Sequence, residues 1–511
     1  MQQSYTKNYL KIYSMQILSV LLGFVSMFIV MPYLSSNKTI YGIYAICISV
    51  TIFFSYADLG FLGAAQKYAA ESYSRNDWQQ ETSLLGFAHF IFLCMIILVG
   101  GIFLYLSFYP ERLIAELQAG YETVVAHKLL LILSLFSPVI VIQRLVQMIF
   151  AIRLQEYQVQ KWVIAGSIVK IMSVFYFFTR GKYDIVGYYL FIQIISALVA
   201  VAVLCMAKRK YHYPIGRLFR RFKFSPDIFR HTRSLAFSSL FVTFCWILYY
   251  EFDSLAIAKL LGADAVAVYA VGLSLLSFIR SLLSVLFAPF DSRFNHFRGL
   301  KQETEFHNFY LHVIKLTFPL VVFSLIAVAI MSKAIVISWV GWEYLLSVEI
   351  VVWLVLCNVL SFISYPARMM LMAREKIRQL YALNALMVLI FWTGIVCTIN
   401  VWGVEAFARF KFLTFIINGL VSLWLSIRYL NISLRMFLRS VILPYLPSLG
   451  VMVIFLFLVK NSCISGKDKL NLFWNGLLIL SGIGLGMTVG FLTVSDLKQY
   501  VRKIIHTIRN Q

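Results

Sequence analysis

Charge is scarce in this chain. Asp, Glu, Lys and Arg together make up 13% of 511 residues, and no polar stretch is long enough to be a separate soluble domain. Acids are the scarcer sign, 22 against 45 Lys and Arg, for a net charge of +23. In a soluble protein that excess would suggest nucleic acid. Here the cations are spread between apolar runs, so membrane topology and anionic lipid headgroups account for them and nucleic acid is not an expected partner. Cysteine offers no framework: six of the seven fall inside apolar runs (Cys47, Cys94, Cys205, Cys245, Cys357 and Cys397) and Cys463 stands alone in a connection. Neither a disulfide scaffold nor a metal site is indicated. No connection holds a Gly-rich nucleotide motif, which argues against direct ATP use, and no cofactor is expected. The longest outer connection, 108–125, has Glu111, Glu116 and Glu122. It is short for the catalytic loop of a membrane glycosyltransferase or polysaccharide polymerase.

What the chain has instead is apolar length: 61% of residues are hydrophobic. About fourteen runs are long enough to cross a hydrocarbon core of about 30 Å as helices. They lie near 10–32, 40–61, 83–107, 126–150, 162–178, 184–206, 234–258, 264–290, 308–332, 347–367, 382–400, 404–427, 440–460 and 472–494. The expected class is all-α, a polytopic membrane protein. Sorting the loop and terminal cations by alternate connections puts 29 on one side and 10 on the other. Because cytoplasmic loops carry the Lys/Arg excess, the richer side is expected inside, with both termini. The first run follows Lys7 and Lys11, is too long for a signal-peptide core and has no small-residue cleavage site, so it reads as a permanent span.

The longest polar connection, 207–233, holds nine cations and one acid, Asp227, and Pro214 and Pro226 prevent one continuous helix. It reads as a positive-inside linker between two halves, with gripping of anionic headgroups or of an incoming lipid phosphate as the functional addition. Flanking it is a weak repeat: YLSSNKTIYGIYAICISV at 33–50 and KLLGADAVAVYAVGLSLL at 259–276, which align at Tyr44-Ala45 and Tyr269-Ala270. The implied organisation is a six-helix bundle over 1–206, the linker, a second bundle over 234–427, and two further helices with a tail over 428–511. Parallel repeats of this kind are a common transporter plan.

The segment IYGIYAICISVTIFFSYADLGFLGAAQKYAAES at 40–72 resembles the start of bacterial polysaccharide-repeat flippases of the O-antigen type. These belong to the multidrug, oligosaccharidyl-lipid and polysaccharide exporter superfamily. The matching residues are Gly42, Tyr44, Leu59, Gly60, Ala64, Lys67, Tyr68 and Glu71, echoed by Gly262, Tyr269 and Pro289. The resemblance implies a non-enzymatic flippase that moves an undecaprenyl-diphosphate-linked oligosaccharide across the bacterial inner membrane by alternating access, for O-antigen-like or lipopolysaccharide synthesis. It implies membrane lipids as partners, and a polysaccharide polymerase and chain-length regulator as further ones. A multidrug and toxin cation exporter of the same superfamily is the main rival. A lumen selecting cations should be rich in acid, whereas here buried cations outnumber buried acids.

Six cations lie within the runs: Arg144, Lys170, Arg280, Lys315, Arg409 and Lys411. A charge at bilayer depth normally faces protein or water. Arg144, Lys170, Arg280 and Lys315 are expected in the inner half, where a diphosphate loading from the cytoplasm would meet them; structural ion pairing and snorkelling are the alternatives. Arg409 and Lys411, near the outer end of the twelfth run, would receive phosphate late or snorkel outward. Of the acids, Asp58 is expected to pair with a cation or cap the following turn. Glu251 and Asp253, two residues apart, should point to different faces of a helix, one of them serving as a coupling or gating group.

Overall fold

The computed structural model describes residues 2–117, 120–179, 181–211, 213–300, 302–463 and 466–494. Arg180, Lys301 and the cations from Lys498 onward lie outside them. Among the described residues every regular element is helical. The chain forms two compact units, Met1–Ala270 and Val271–Gln511.

The first unit contains α1 (Gln2–Leu34), α2 (Lys38–Ser55), α3 (Phe61–Ser74), α4 (Trp78–Phe108), α5 (Tyr121–Ile152), α6 (Glu156–Phe177), α7 (Ile185–Tyr211), α8 (Ile215–Arg220), α9 (Pro226–Trp246) and the first part of α10 (Asp253–Gly299). Local chemistry sets the starts. Asn37 caps α2 by accepting from the Ile40 N–H at 3.1 Å, and Asp77 caps α4 by accepting from Gln79 and Gln80. Pro226 opens α9 at a position where its missing N–H costs nothing. The expected second run, 40–61, is not one helix. It ends at Ser55 and resumes at Phe61 after Leu59 and Gly60 adopt left-handed backbone. A side chain on Gly60 would overlap the Ala236 carbonyl oxygen, so α3 and α9 approach at backbone distance there.

α10 is one helix only by its hydrogen bonding, since Gly262 has φ 80° and ψ −179°. In a straight helix residues 253 and 269 would stand about 24 Å apart. The Tyr269 hydroxyl nevertheless donates to the Asp253 carboxylate. The chain therefore doubles back at Gly262, and 253–261 and 263–269 run as the two arms of a helical hairpin. Its tip is fastened from outside: the Thr39 hydroxyl donates to Asp264 at 2.6 Å, the Ala115 N–H to the Ala258 carbonyl at 2.9 Å, and Lys259 to the Arg112 carbonyl at 2.8 Å. Gly42 lies so close to Ala263 that any Cβ would meet its carbonyl oxygen.

The second unit continues α10 and adds α11 (Glu303–Ile330), α12 (Ser332–Trp339), α13 (Ser347–Leu356), α14 (Ser361–Ala373), α15 (Ile377–Trp402), α16 (Glu405–Leu430), α17 (Leu434–Phe437), α18 (Leu446–Val459) and α19 (Lys469–Thr493). Gly272 admits Ile350 and Leu354 of α13 against α10, and Phe287 stacks on Tyr365 of α14 at 4.8 Å. The final pair joins this unit through α11 and α12. The Asn475 amide, buried, donates to the Ala334 carbonyl and the Ser338 hydroxyl, each at 3.2 Å. Gly482 and Gly486 let α19 close on Leu456, Met452 and Phe323.

This is a multi-pass membrane protein. Among the described residues eleven helices are long and apolar enough to cross a membrane, or twelve when α13 and α14, bent by 42° at residues 357–360, count as one broken span. The expected number of fourteen is not established. The expected run at 162–178 falls in α6, which is not among the eleven, and 226–299 counts as one stretch although it reverses at Gly262. The expected single span 347–367 is the bent pair. By contact, the division between the two compact units falls after Ala270.

Candidate functional site

In the first unit Arg144 and Lys170 hydrogen-bond to neutral groups. Arg144, on α5, donates to the Ser55 carbonyl at 3.4 Å and to the Gln147 side chain at 3.3 Å. Lys170, on α6, donates to the Ser196 hydroxyl at 2.7 Å, and Ser196 passes its own hydrogen to the Ile192 carbonyl. Gln143, next to Arg144, reaches the Ser196 carbonyl at 3.4 Å. Lys170 of α6 and Gln143 of α5 thus meet on one polar seam of α7, while Arg144 bonds to the end of α2 and to its own helix; both cations are half-buried. Asp58 is within electrostatic reach of Arg144, but its hydrogen bond goes to the Leu62 N–H at 3.1 Å, capping α3 as one of its expected roles required.

Glu251 and Asp253 are both buried, Glu251 closing a π-helical turn at Ile247–Glu251 and Asp253 opening α10. Asp253 accepts from the Ser254 N–H at 2.9 Å and from Tyr269, so it closes the hairpin described above.

In the second unit Arg280 is half-buried and acts electrostatically on Tyr365, as does Arg368. Arg368 lies one residue beyond the expected tenth run, 347–367, but α14 continues to Ala373 and carries it. Lys315 is half-buried on α11, and its carbonyl accepts from Tyr445 at 3.4 Å. Arg409 donates to Glu405 at 2.7 Å and to Glu349 at 3.3 Å, with its guanidinium 4.7 Å from the centre of Trp402. Lys411 is fully enclosed, its ammonium 5.7 Å from the Phe391 ring. Arg409 is therefore an anchor among α13, α15 and α16, and Lys411 has no route to solvent.

A buried cluster that the sequence did not signal lies at the opposite end of the first unit from the hairpin tip. Arg153 donates to both Glu81 oxygens, at 2.9 and 3.2 Å, and to the Ile149 carbonyl at 2.9 Å. The rings of Tyr73, Trp78 and Tyr213 surround the guanidinium at 4.6, 5.2 and 5.0 Å. The Tyr213 hydroxyl donates to Glu81 at 3.2 Å, and burial followed by the Glu81 charge pushes that phenol well up. Glu81 sits where an acid simply suits a helix N-terminus, so nothing in the sequence marks it as buried. Among the described residues no group of three His, Cys, Asp or Glu side chains is placed to hold a metal ion.

The family model for polysaccharide biosynthesis proteins matches residues 5–290, more than half of the chain. The chain belongs to that family. No curated protein matches it in sequence. Among solved structures, this family member is similar to the lipid II flippase MurJ in an inward closed conformation, with 15% identity, 95% of this chain and 99% of that one covered, and a TM-score of 0.68. It is also similar to an inward-facing multidrug resistance MATE family transporter of the MOP superfamily, at 13% identity, 82% and 98% coverage and a TM-score of 0.59. A MOP superfamily transporter from Pyrococcus furiosus, described as having a binding pocket of reverse polarity, gives 14%, 85% and 96%, and 0.54. At such identities the likeness shows a shared fold. The flippase and transporters in this set are not enzymes, in keeping with the non-enzymatic reading.

Proposed function

We propose that this protein is a flippase for an anionic lipid-linked oligosaccharide, of the undecaprenyl-diphosphate class, in the bacterial inner membrane with both termini cytoplasmic. The observation that carries the reading is the company kept by the interior cations. Structural cations here have carboxylates: Arg153 has Glu81, Arg409 has Glu405 and Glu349, and Arg374 has Glu303. Lys170 hydrogen-bonds to a hydroxyl, and Arg144 to a carbonyl and an amide, with Asp58 within electrostatic reach of Arg144 but hydrogen-bonded to the Leu62 N–H. Neutral partners orient a cation without cancelling its charge, which leaves it able to take a phosphate oxygen. In this reading Arg144 and Lys170 are the first unit's candidates to grip a phosphate, and Arg280 with Arg368 are the second unit's. Lys315 is a weaker member, Arg409 and Lys411 hold the helices, and Asp253 acts as a latch on the hairpin, leaving Glu251 as the coupling group.

Support comes from the family, whose members serve polysaccharide biosynthesis, and from the fold shared with a lipid II flippase. The neighbours' inward-facing and outward-facing conformations agree with alternating access as the mechanism. The test is transbilayer movement of a labelled undecaprenyl-diphosphate oligosaccharide in proteoliposomes, comparing the intact protein with Lys170→Ala and Arg280→Ala. Movement lost in both variants supports the assignment. Movement unchanged in both removes these residues from the site, and export of dye cations with no lipid movement replaces the flippase by the multidrug reading.

A further inference from the structure

The basic connection between α7 and α9 is not slack. Tyr213 binds back to α7 through its N–H and the Ala207 carbonyl, at 3.2 Å, and its ring closes the Arg153 and Glu81 cluster. Leu218 of α8 is fully buried. The Arg221 backbone lies so near α4 that a Cβ on Gly86 would stand 2.6 Å from its carbonyl oxygen. Phe222 and Phe224 then meet His89 and Phe87 of α4, with ring centres 6.4 and 5.7 Å apart. A tether needs none of these contacts, and each one costs the segment conformational freedom.

What the pinned segment turns outward is chemically uniform. With Leu218 inward, Arg217 and Arg220, three apart and so on one helix face, are exposed, as is Lys223. Between and beyond them Phe219 and Phe224 are 50% and 52% exposed. Cations interleaved with large apolar side chains, just past the end of an apolar helix, match the surface of an anionic leaflet: rings enter the acyl boundary while guanidinium and ammonium groups meet phosphates. We propose that residues 213–224 form a fixed platform that docks on anionic phospholipid headgroups of the cytoplasmic leaflet. The occupant follows from charge complementarity together with the exposed rings, which a soluble anion would not use. The proposal stands apart from the transported substrate and holds whether or not the flippase reading does.

The experiment is amide hydrogen exchange on the full-length protein in lipid nanodiscs, neutral phosphatidylcholine against the same lipid with about 30% phosphatidylglycerol. Exchange over 213–224 is expected to slow by about threefold or more with the anionic lipid, and to return towards the neutral value at about 0.5 M salt. The Arg217→Gln/Arg220→Gln/Lys223→Gln variant, which leaves Leu218, Tyr213 and the aromatic contacts in place, should lose that lipid dependence. Phe219→Ser, with all cations kept, should reduce it in part. Equal exchange in the two lipids, or full lipid dependence in the triple variant, overturns the platform. Equivalent slowing by inorganic diphosphate in neutral nanodiscs also overturns it, and assigns the cations to a soluble phosphate instead.

Discussion

Removing the Glu81 carboxylate should loosen the connection that Arg153 holds. The pair is enclosed, with side-chain exposures of 5% for Arg153 and 0% for Glu81. Breaking a buried ion pair from one side costs about 3–5 kcal/mol, because the remaining charge stays desolvated. In Glu81→Met the guanidinium keeps the Ile149 carbonyl and three rings but loses both carboxylate bonds, and Tyr213 loses its acceptor. In Arg153→Met the carboxylate keeps only Tyr213. If this cost falls on the local opening of residues 213–224, the open fraction rises by roughly 10²-fold to several thousandfold, at about 1.4 kcal/mol per factor of ten. Limited trypsin digestion at Arg217, Arg220 and Arg221 in the detergent-solubilised protein reads that fraction when cleavage is slow relative to closing. The double variant Glu81→Met/Arg153→Met removes both charges and leaves only the Tyr213 hydroxyl unpaired, a cost of about 1–3 kcal/mol. Its cleavage should fall back below that of either single variant. Single variants cut at the wild-type rate, or a double variant cut faster than both, would refute the account of this cluster as a charge-dependent lock.

Gly42→Ala places a methyl group against the Ala263 carbonyl and should lower stability by about 1–3 kcal/mol, whereas Gly63→Ala, with nothing within 4 Å, should be neutral or mildly stabilising; thermal unfolding in detergent compares them. Asp58→Ala removes the acceptor for the Leu62 N–H and should cost about 1 kcal/mol in the same assay. Lys170→Met should reduce lipid movement in proteoliposomes about tenfold or more, while Lys411→Met, at a site closed to solvent, should leave it within about twofold of wild type; matching losses would mean that neither charge touches the substrate.

Membrane class, helix content and family were written in the sequence, because a run of about 20 apolar residues has few other fates and loop charge is independent of packing. The residues that carried the resemblance also had structural meaning: Gly42 and Gly60 are both points where helices meet at backbone distance. The Asp58 cap was legible for the same reason, since a carboxylate four residues before a helical N–H acts locally. Tertiary structure alone decided the rest. Hydropathy cannot show that Gly262 reverses a helix, because the apolar pattern is the same on both sides of the bend. The π-turn at Ile247–Glu251 leaves no mark in composition either. Nor does sequence separate cations that have a distant carboxylate, such as Arg153, from those resting on hydroxyls and carbonyls, such as Lys170. Partners 60 to 72 residues away, Glu349 for Arg409 and Glu81 for Arg153, are chosen by how helices pack, and it is that choice which divides structural charge from charge left to act on a ligand.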